Sequence, residues 1–283
     1  MRISIRHRTE YQFDEPVFLE PHIVRLRPRG DASQRLLSYE LTIDPTPTVR
    51  AENFDLDGNV VTQVWFEGTT GRLQVESLAS VETLVTDPFR FLLDEPARIL
   101  PDVYPARLRS QLSAYRKAPE ALAAPVAAFA AGVAADVSGR VDEFPRVLAR
   151  RLHRDHRIEP RPEGPPLPAE TTLKERRGAC RDLAVLFTEC CQAAGLAARF
   201  VSGYAHVDEA RDHELHAWCE VYVPGGGWRG FDATTGLAVA DRHVALAAAA
   251  EPARAAPVSG SFRGSGTATL TARVEVGQVQ LQG

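Results

Sequence analysis

The sequence lacks the marks of a disulfide scaffold or a nucleic-acid-binding protein. Only four of its 283 residues are cysteine, and Cys190 and Cys191 are adjacent. A disulfide framework is therefore not expected in a chain of this length. The formal net charge of −4 argues against a surface built to bind nucleic acid or an anionic membrane. We expect a globular protein with neither of these partners.

Long hydrophobic runs are also missing. The longest uncharged run, residues 121–135, is rich in alanine and contains Pro125. It is too short to span a bilayer, so it predicts a helix packed against protein. Residues 1–7 alternate charged and apolar side chains and lack the apolar core of a signal peptide. We therefore expect a reduced, cytoplasmic protein of unknown oligomeric state.

The first 85 residues have the period-two pattern of β-strands. Alternation covers residues 2–11, 36–43 and 60–66, and Asp57-Gly58-Asn59 supplies a turn between two runs. Short, evenly spaced strands predict a sandwich or a small barrel. We place an N-terminal β domain at residues 1–95.

Helical spacing begins beyond the proline-punctuated connector at residues 88–105. Residues 160–168 contain five prolines and predict an extended loop. We place a second domain at residues 100–283 and a strand-like tail at 267–281, and we assign no element to residues 245–260.

A helix and three strands are predicted between residues 180 and 233. Gly195 is suited to the position after the helix end, where left-handed backbone is common. The strands are predicted at 197–204, 215–223 and 228–233. The helix presents one apolar face, formed by Leu183, Leu186, Phe187, Cys190 and Cys191.

Cys180 lies behind a glycine at the start of this helix. The free N–H groups and the dipole of a helix N-terminus favour a thiolate over a thiol. The Cys180 N–H is also a natural donor to an oxyanion, although the sequence does not identify a second donor. A buried packing role is the simpler interpretation of a lone cysteine, and it is our interpretation of Cys190, Cys191 and Cys219.

His216 and Asp232 are predicted on neighbouring strands and on the same face. A hairpin centred on Pro224 would place them directly opposite each other, with Cβ atoms about 5 Å apart. A hairpin centred on Gly226 would pair His216 with Gly236 instead and lose the contact. The sequence leaves this register open.

Two other interpretations of these side chains stay open. His216 could be a core histidine, and Asp232 could cap Thr234 or Thr235. A zinc site could use Cys180, His213, His216 and Cys219, but no Cys-x-x-Cys pair is present and strand parity separates the two histidines.

Taken together, these segments resemble the transglutaminase-like superfamily. The resemblance also extends to the β domain that precedes the core in a bacterial subgroup, through Thr9-Glu10-Tyr11, Arg25-Leu26-Arg27-Pro28 and Asp57-Gly58-Asn59. In the core it is carried by four ordered motifs: Gly178-Ala-Cys180-Arg-Asp182, Gly195 to Tyr204, His216-Ala-Trp218-Cys-Glu220, and Gly227-Trp-Arg-Gly-Phe-Asp232-Ala-Thr234.

The resemblance implies an α+β fold, with a β-sandwich-like N-terminal domain and a papain-like core whose Cys helix packs on an antiparallel sheet. It implies a catalytic triad of Cys180, His216 and Asp232 and acyl transfer through a thioester. Ala233 departs from the family pattern, which has proline after the aspartate, and residues 245–250 lack the polar stretch usual in the subgroup.

We therefore predict a bacterial cysteine hydrolase, protease-like or amidase-like, or a transglutaminase-type acyltransferase. Its substrate would be a peptide or protein amide, and it would need no metal or other cofactor. Hydrolysis is preferred because the sequence shows no amine site. The alternatives are a transamidating enzyme and a non-catalytic binding or assembly module on the same fold.

Overall fold

The computed structural model describes residues 1–94, 99–161, 164–206 and 214–279. Its organisation is α+β, as predicted, with an antiparallel β region followed by helices packed on a second antiparallel sheet. Within the described ranges, no helix is both long and apolar enough to cross a membrane.

The N-terminal region consists of six strands: β1 (Arg2–Leu19), β2 (His22–Val24), β3 (Gln34–Asp44), β4 (Val49–Phe54), β5 (Val60–Trp65) and β6 (Thr70–Thr83). The middle of the chain holds α1 (Ala106–Gln111), α2 (Ala124–Asp136), α3 (Phe144–Asp155), β7 (Arg157–Ile158), α4 (Ala169–Glu175), β8 (Arg177–Gly178) and α5 (Cys180–Ala193).

The remaining strands are β9 (Ala198–Ala205), β10 (His216–Val223), β11 (Gly227–Asp232), β12 (Leu237–Ala238), β13 (His243–Ala249), β14 (Val258–Ser259), β15 (Phe262–Arg263) and β16 (Ala268–Gln278). Single turns of 3-10 helix lie at Ser113–Tyr115, Pro119–Ala121 and Pro252–Ala255.

Two sheets form the sandwich-like N-terminal region. One has the order β15-β1-β6-β3 with β16 also on β1, and the other has the order β14-β2-β5-β4. Their inner side chains share one buried core, with Ile3 from the first sheet and Val64 from the second. Strand β16 covers most of the tail predicted at 267–281 and pairs along β1. The domain boundary stays a prediction, since residues 95–98 lie outside the described part.

A further antiparallel sheet follows the N-terminal region and has the order β12-β11-β10-β9-β13. Helices α2, α3 and α5 pack against one of its faces. The predicted apolar face of α5 is confirmed, because all five of its side chains are buried in that core. Gly195 follows the helix with a φ of +90°, as its predicted terminating position requires. The proline-rich segment reaches α4, and its residues 162 and 163 lie outside the described residues.

Side-chain amides from the N-terminal region complete the hydrogen bonding of β13, which is the last strand of this sheet. Asn59 accepts the Ala248 N–H at 2.9 Å and donates to the Ala248 carbonyl at 2.8 Å. Gln34 makes the same pair of bonds to Ala245, at 2.7 and 2.9 Å. Asn59 was predicted as a turn residue, but it is fully buried, and its amide binds β13 as a neighbouring strand would.

We expect Asn59→Ala to lower the free energy of unfolding by about 2–4 kcal/mol, because two buried backbone groups would lose their partners. Asn53→Ala is the matched control, since Asn53 is exposed in β4 and its loss should change stability by less than about 0.5 kcal/mol. Urea denaturation of both variants measures the difference. Equal effects of the two substitutions would contradict the role assigned to Asn59.

Candidate active site

Cys180 occupies the first position of α5, as predicted, and the buried carboxylate of Asp182 fixes this helix start. Asp182 Oδ2 accepts the Ala179 N–H at 2.8 Å, and Oδ1 accepts the Leu167 N–H at 2.8 Å. An ion pair of 2.6 Å joins the same carboxylate to Arg161. The carboxylate therefore ties the proline-rich segment to the helix that carries the cysteine.

Position 178 requires glycine because the Asp182 side chain lies directly against its backbone. A Cβ at this position would lie 2.9 Å from the Asp182 Cβ and 3.4 Å from the Thr172 side chain. The Gly-x-Cys-x-Asp spacing thus has a structural cause, since the glycine admits the carboxylate that caps the helix.

His216 and Asp232 are in direct contact. The His216 Nε2 lies 2.8 Å from Asp232 Oδ2. However, both registers considered from the sequence are wrong. In the β10–β11 ladder Val223 pairs with Gly227 and Cys219 pairs with Phe231. The hairpin is therefore centred on Gly225, and the same register places Trp218, not His216, opposite Asp232. The contact is made diagonally across the two strands, which long side chains can span.

The Cys180 thiol completes the group of three. The Cys180 Sγ is 3.9 Å from the carbonyl oxygen of Leu215, the residue before His216, and Cys180 is among the groups that raise the pKa of the His216 imidazole. Because Nε2 of His216 is bound to Asp232, Nδ1 is the nitrogen left to face the sulfur. The structure therefore brings together all three residues predicted from the sequence.

The electrostatics favour a charged imidazole. Burial would lower the pKa of His216, but the hydrogen bond to Asp232 and the nearby Cys180 outweigh it and raise the pKa to about 10. Burial would raise the pKa of Asp232, yet the hydrogen bonds from His216 and His243 hold it well below its usual value. The result is a buried imidazolium–carboxylate pair near the Cys180 sulfur.

Sequence reasoning missed two residues of this site, Thr234 and His243. Thr234 was considered only as a residue that Asp232 caps; its N–H and Oγ1 lie 2.8 and 2.6 Å from Asp232 Oδ1. His243 begins β13, two residues before the stretch 245–260 to which no element was assigned, and its Nε2 lies 3.2 Å from Asp232 Oδ2. The sequence feature that could have indicated His243 is its position directly before an apolar run. That feature does not show which carboxylate the ring binds.

Two tryptophans on these strands, Trp218 and Trp228, differ in their position relative to this pair. The Trp218 ring lies 6.3 Å from the His216 ring and 5.2 Å from the His243 ring, centroid to centroid. The Trp228 ring packs on Tyr115 and Tyr222 instead. Trp218 alone therefore lines the imidazoles.

The zinc set considered from the sequence is not assembled as proposed. Its Cys219 is fully buried in the core beneath α5, and its His213 lies outside the described residues. A different group has suitable ligand atoms, since one atom from each of His216, Asp232 and His243 lies within 4.8 Å of the others. Two of the separations are those of direct hydrogen bonds, so a cation there would have to displace them.

A solved structure shares this fold. The chain aligns over its full length with a protein from Cytophaga hutchinsonii that is described as a proposed cysteine protease, with a TM-score of 0.75, 23% identity and 92% of that chain covered. At this identity the likeness shows a common fold, in which an antiparallel β region precedes the cysteine-bearing core.

Family models identify the chain more closely. Residues 3–82 match the bacterial transglutaminase-like N-terminal region, and residues 127–233 match the transglutaminase-like superfamily. The chain belongs to the transglutaminase-like superfamily, as the motifs predicted.

Relatives in mycobacteria cover nearly the whole chain. An uncharacterised protein of Mycobacterium tuberculosis is 28% identical over 276 residues, which is 92% of this chain and 87% of the relative. One from Mycobacterium leprae is 24% identical over 287 residues, covering 97% of this chain and 98% of the relative. The shared length includes both the β region and the core.

We expect NMR titration to show His216 protonated until the pH approaches 10. Because the pKa is raised, the stability it contributes is full below about pH 6.5 and is lost as the pH rises toward 10. Asp232→Asn removes the negative partner, so burial should then pull the His216 pKa down by at least about two units. A His216 that titrates near pH 6.5 in the unmodified protein would contradict the ion pair.

Proposed function

We propose that this protein is a cysteine acyl-transfer enzyme that hydrolyses an amide, peptide or isopeptide bond through a thioester on Cys180. The observation that carries the proposal is the position of Cys180 at the start of α5, with its sulfur 3.9 Å from the residue that precedes His216, whose ring is bound to buried Asp232. A nucleophile, a base within reach and a group that orients the base are the parts such a reaction needs.

In the first step the Cys180 sulfur attacks the substrate carbonyl carbon as a thiolate, whose positive partner is the His216 imidazolium. The carbonyl oxygen gains the negative charge, and the Cys180 N–H can stabilise it. Within the described residues this N–H has no hydrogen-bond acceptor in the helix or outside it. Free N–H groups at a helix start are suited to a developing oxyanion.

His216 then supplies the proton that the leaving amine requires. As the carbon–nitrogen bond breaks, the imidazolium proton passes to the amine nitrogen and a thioester remains on Cys180. In the second step neutral His216 removes a proton from water, and the resulting hydroxide attacks the thioester. The carboxylic acid leaves and the thiolate–imidazolium pair is restored.

Asp232 keeps the ring in the productive tautomer. Its Oδ2 accepts a hydrogen bond from the Nε2–H of His216, which leaves Nδ1 to exchange a proton with the sulfur and the substrate. Transamidation would differ only in the nucleophile of the second step, an amine in place of water. The expected cytoplasmic location and the peptide or protein substrate stay proposals.

Iodoacetamide alkylation tests the nucleophile without a known substrate. At pH 6 an ordinary thiol is only roughly 0.3% thiolate, so we expect Cys180 to react at least about tenfold faster than the same cysteine in urea-unfolded protein. Peptide mass spectrometry identifies the labelled residue. Cys190 and Cys191 are internal controls, because burial raises their pKa and should keep them unlabelled.

His216→Ala should abolish the fast labelling while the circular dichroism spectrum stays unchanged. If Cys180 reacts no faster in the folded protein than in the unfolded one, the enzyme proposal fails and a binding or assembly module is favoured. Turnover that survives Cys180→Ala would also exclude the proposed mechanism.

A further inference from the structure

Asp232 receives hydrogen bonds from two imidazoles, of which the proposed mechanism uses only one. His216 Nε2 is 2.8 Å and His243 Nε2 is 3.2 Å from the same oxygen, Oδ2. The other oxygen, Oδ1, accepts hydrogen bonds from the N–H and the hydroxyl of Thr234, at 2.8 and 2.6 Å. A fully buried carboxylate thus has four donors, which fills its capacity as an acceptor.

The surroundings of His243 determine which nitrogen carries its proton. Its Nδ1 is buried and, among the described residues, has no hydrogen-bond partner. A proton on Nδ1 would therefore be stranded, whereas a proton on Nε2 is donated to Asp232. The His243 side chain is the second imidazole donor to the carboxylate.

The fold holds the His243 ring in place from two sides. The ring packs edge-on against Trp218, with an angle of 76° between the planes. Its strand pairs with β9, where His243 lies opposite Ala205, and farther along the strand is bound by Gln34 and Asn59. These contacts hold the ring beside Asp232.

We propose that His243 is a positioning residue that takes up part of the charge of Asp232 and so weakens the hold of the carboxylate on the His216 proton. The inference rests on the proposed function, in which His216 must release that proton to a leaving group and accept another from water. A general acid–base group works best when its proton affinity is close to the working pH.

A purely structural role predicts a different result. If His243 only filled space, a side chain of similar volume would leave the titration of His216 unchanged. If it only restrained Asp232, its loss would weaken the ion pair and lower the proton affinity of His216. Charge sharing alone predicts that the proton affinity of His216 rises when the donor is removed.

Two variants separate the possibilities. His243→Phe keeps a ring beside Trp218 but cannot donate, whereas His243→Gln places an amide N–H near the position of Nε2. Both are compared in a Cys180→Ala background, because removing the sulfur takes away one cause of the raised pKa and brings the titration into an accessible range.

Apart from His243, the groups that face His216 must be the same in all variants for this comparison to hold. Asp232 and Thr234 face the ring in every variant, with Arg181 and Glu214 near position 180. Cys180 is absent from all of them, so among the described residues His243 is the one facing group that differs.

NMR titration of the His216 ring is the measurement. We expect His243→Phe to raise its midpoint by about one pH unit, a tenfold change in proton affinity, and His243→Gln to restore most of the original value. In the enzyme with Cys180 present, the pH profile of thioester hydrolysis should move upward by the same amount. A midpoint that is unchanged or lowered in His243→Phe, or equal shifts in both variants, would overturn the inference.

The outcome does not depend on turnover. If the unmodified protein forms no thioester, the proposed function fails, while the His216 midpoint still decides the role of His243. Should His243→Phe not fold, His243→Asn replaces it, because its shorter amide does not reach Asp232. The His216 midpoint is then expected to rise in His243→Asn and to stay near its original value in His243→Gln.

Discussion

A buried carboxylate is the constraint on which this structure depends. Asp232 has no exposed surface, and an unpaired charge in that position would cost several kcal/mol (about 3–5) of stability. The protein meets this cost with donors from three places: His216 on β10, Thr234 after β11 and His243 on β13. The order of the sheet, with β10 next to β11 and β9 between β10 and β13, is therefore coupled to the chemistry of one side chain.

The same constraint gives the N-terminal β region a physical connection to the site. Strand β13 lies at the end of its sheet, and the N–H groups of Ala245 and Ala248 on it are bound by the amides of Gln34 and Asn59. His7 adds a buried contact between the two regions, with its Nδ1 2.7 Å from the Tyr204 hydroxyl. The β region thus supports the strand that delivers His243 to Asp232.

Much of the fold and the three central residues could be predicted from the sequence. Period-two alternation located long stretches of β1, β3 and β5, and the apolar face of α5 was correct in every position. Cys180 could be placed at a helix start because a glycine and a polar segment precede a regular apolar stripe. His216 and Asp232 could be placed on one face because side-chain parity does not depend on the turn.

Other features depend on contacts between distant segments. The register of the β10–β11 hairpin depends on the turn at residues 224–227. A turn centred on residue 224, 225 or 226 leaves His216 and Asp232 on the same face but changes which residue lies directly opposite His216. Strand β13 is a run of small apolar residues, and alanine has little intrinsic preference for strands, so its identity comes from its neighbours. His243 and the second role of Asn59 could not be found without that strand.

The direct test of the central claim is to trap the acyl enzyme. The protein is mixed with p-nitrophenyl acetate, quenched in acid within the first turnover and measured by intact-mass and peptide mass spectrometry. We expect one acetyl group per chain, on Cys180, that is absent in Cys180→Ala and forms far more slowly in His216→Ala. Acetylation spread over surface lysines, with none on Cys180, would contradict it.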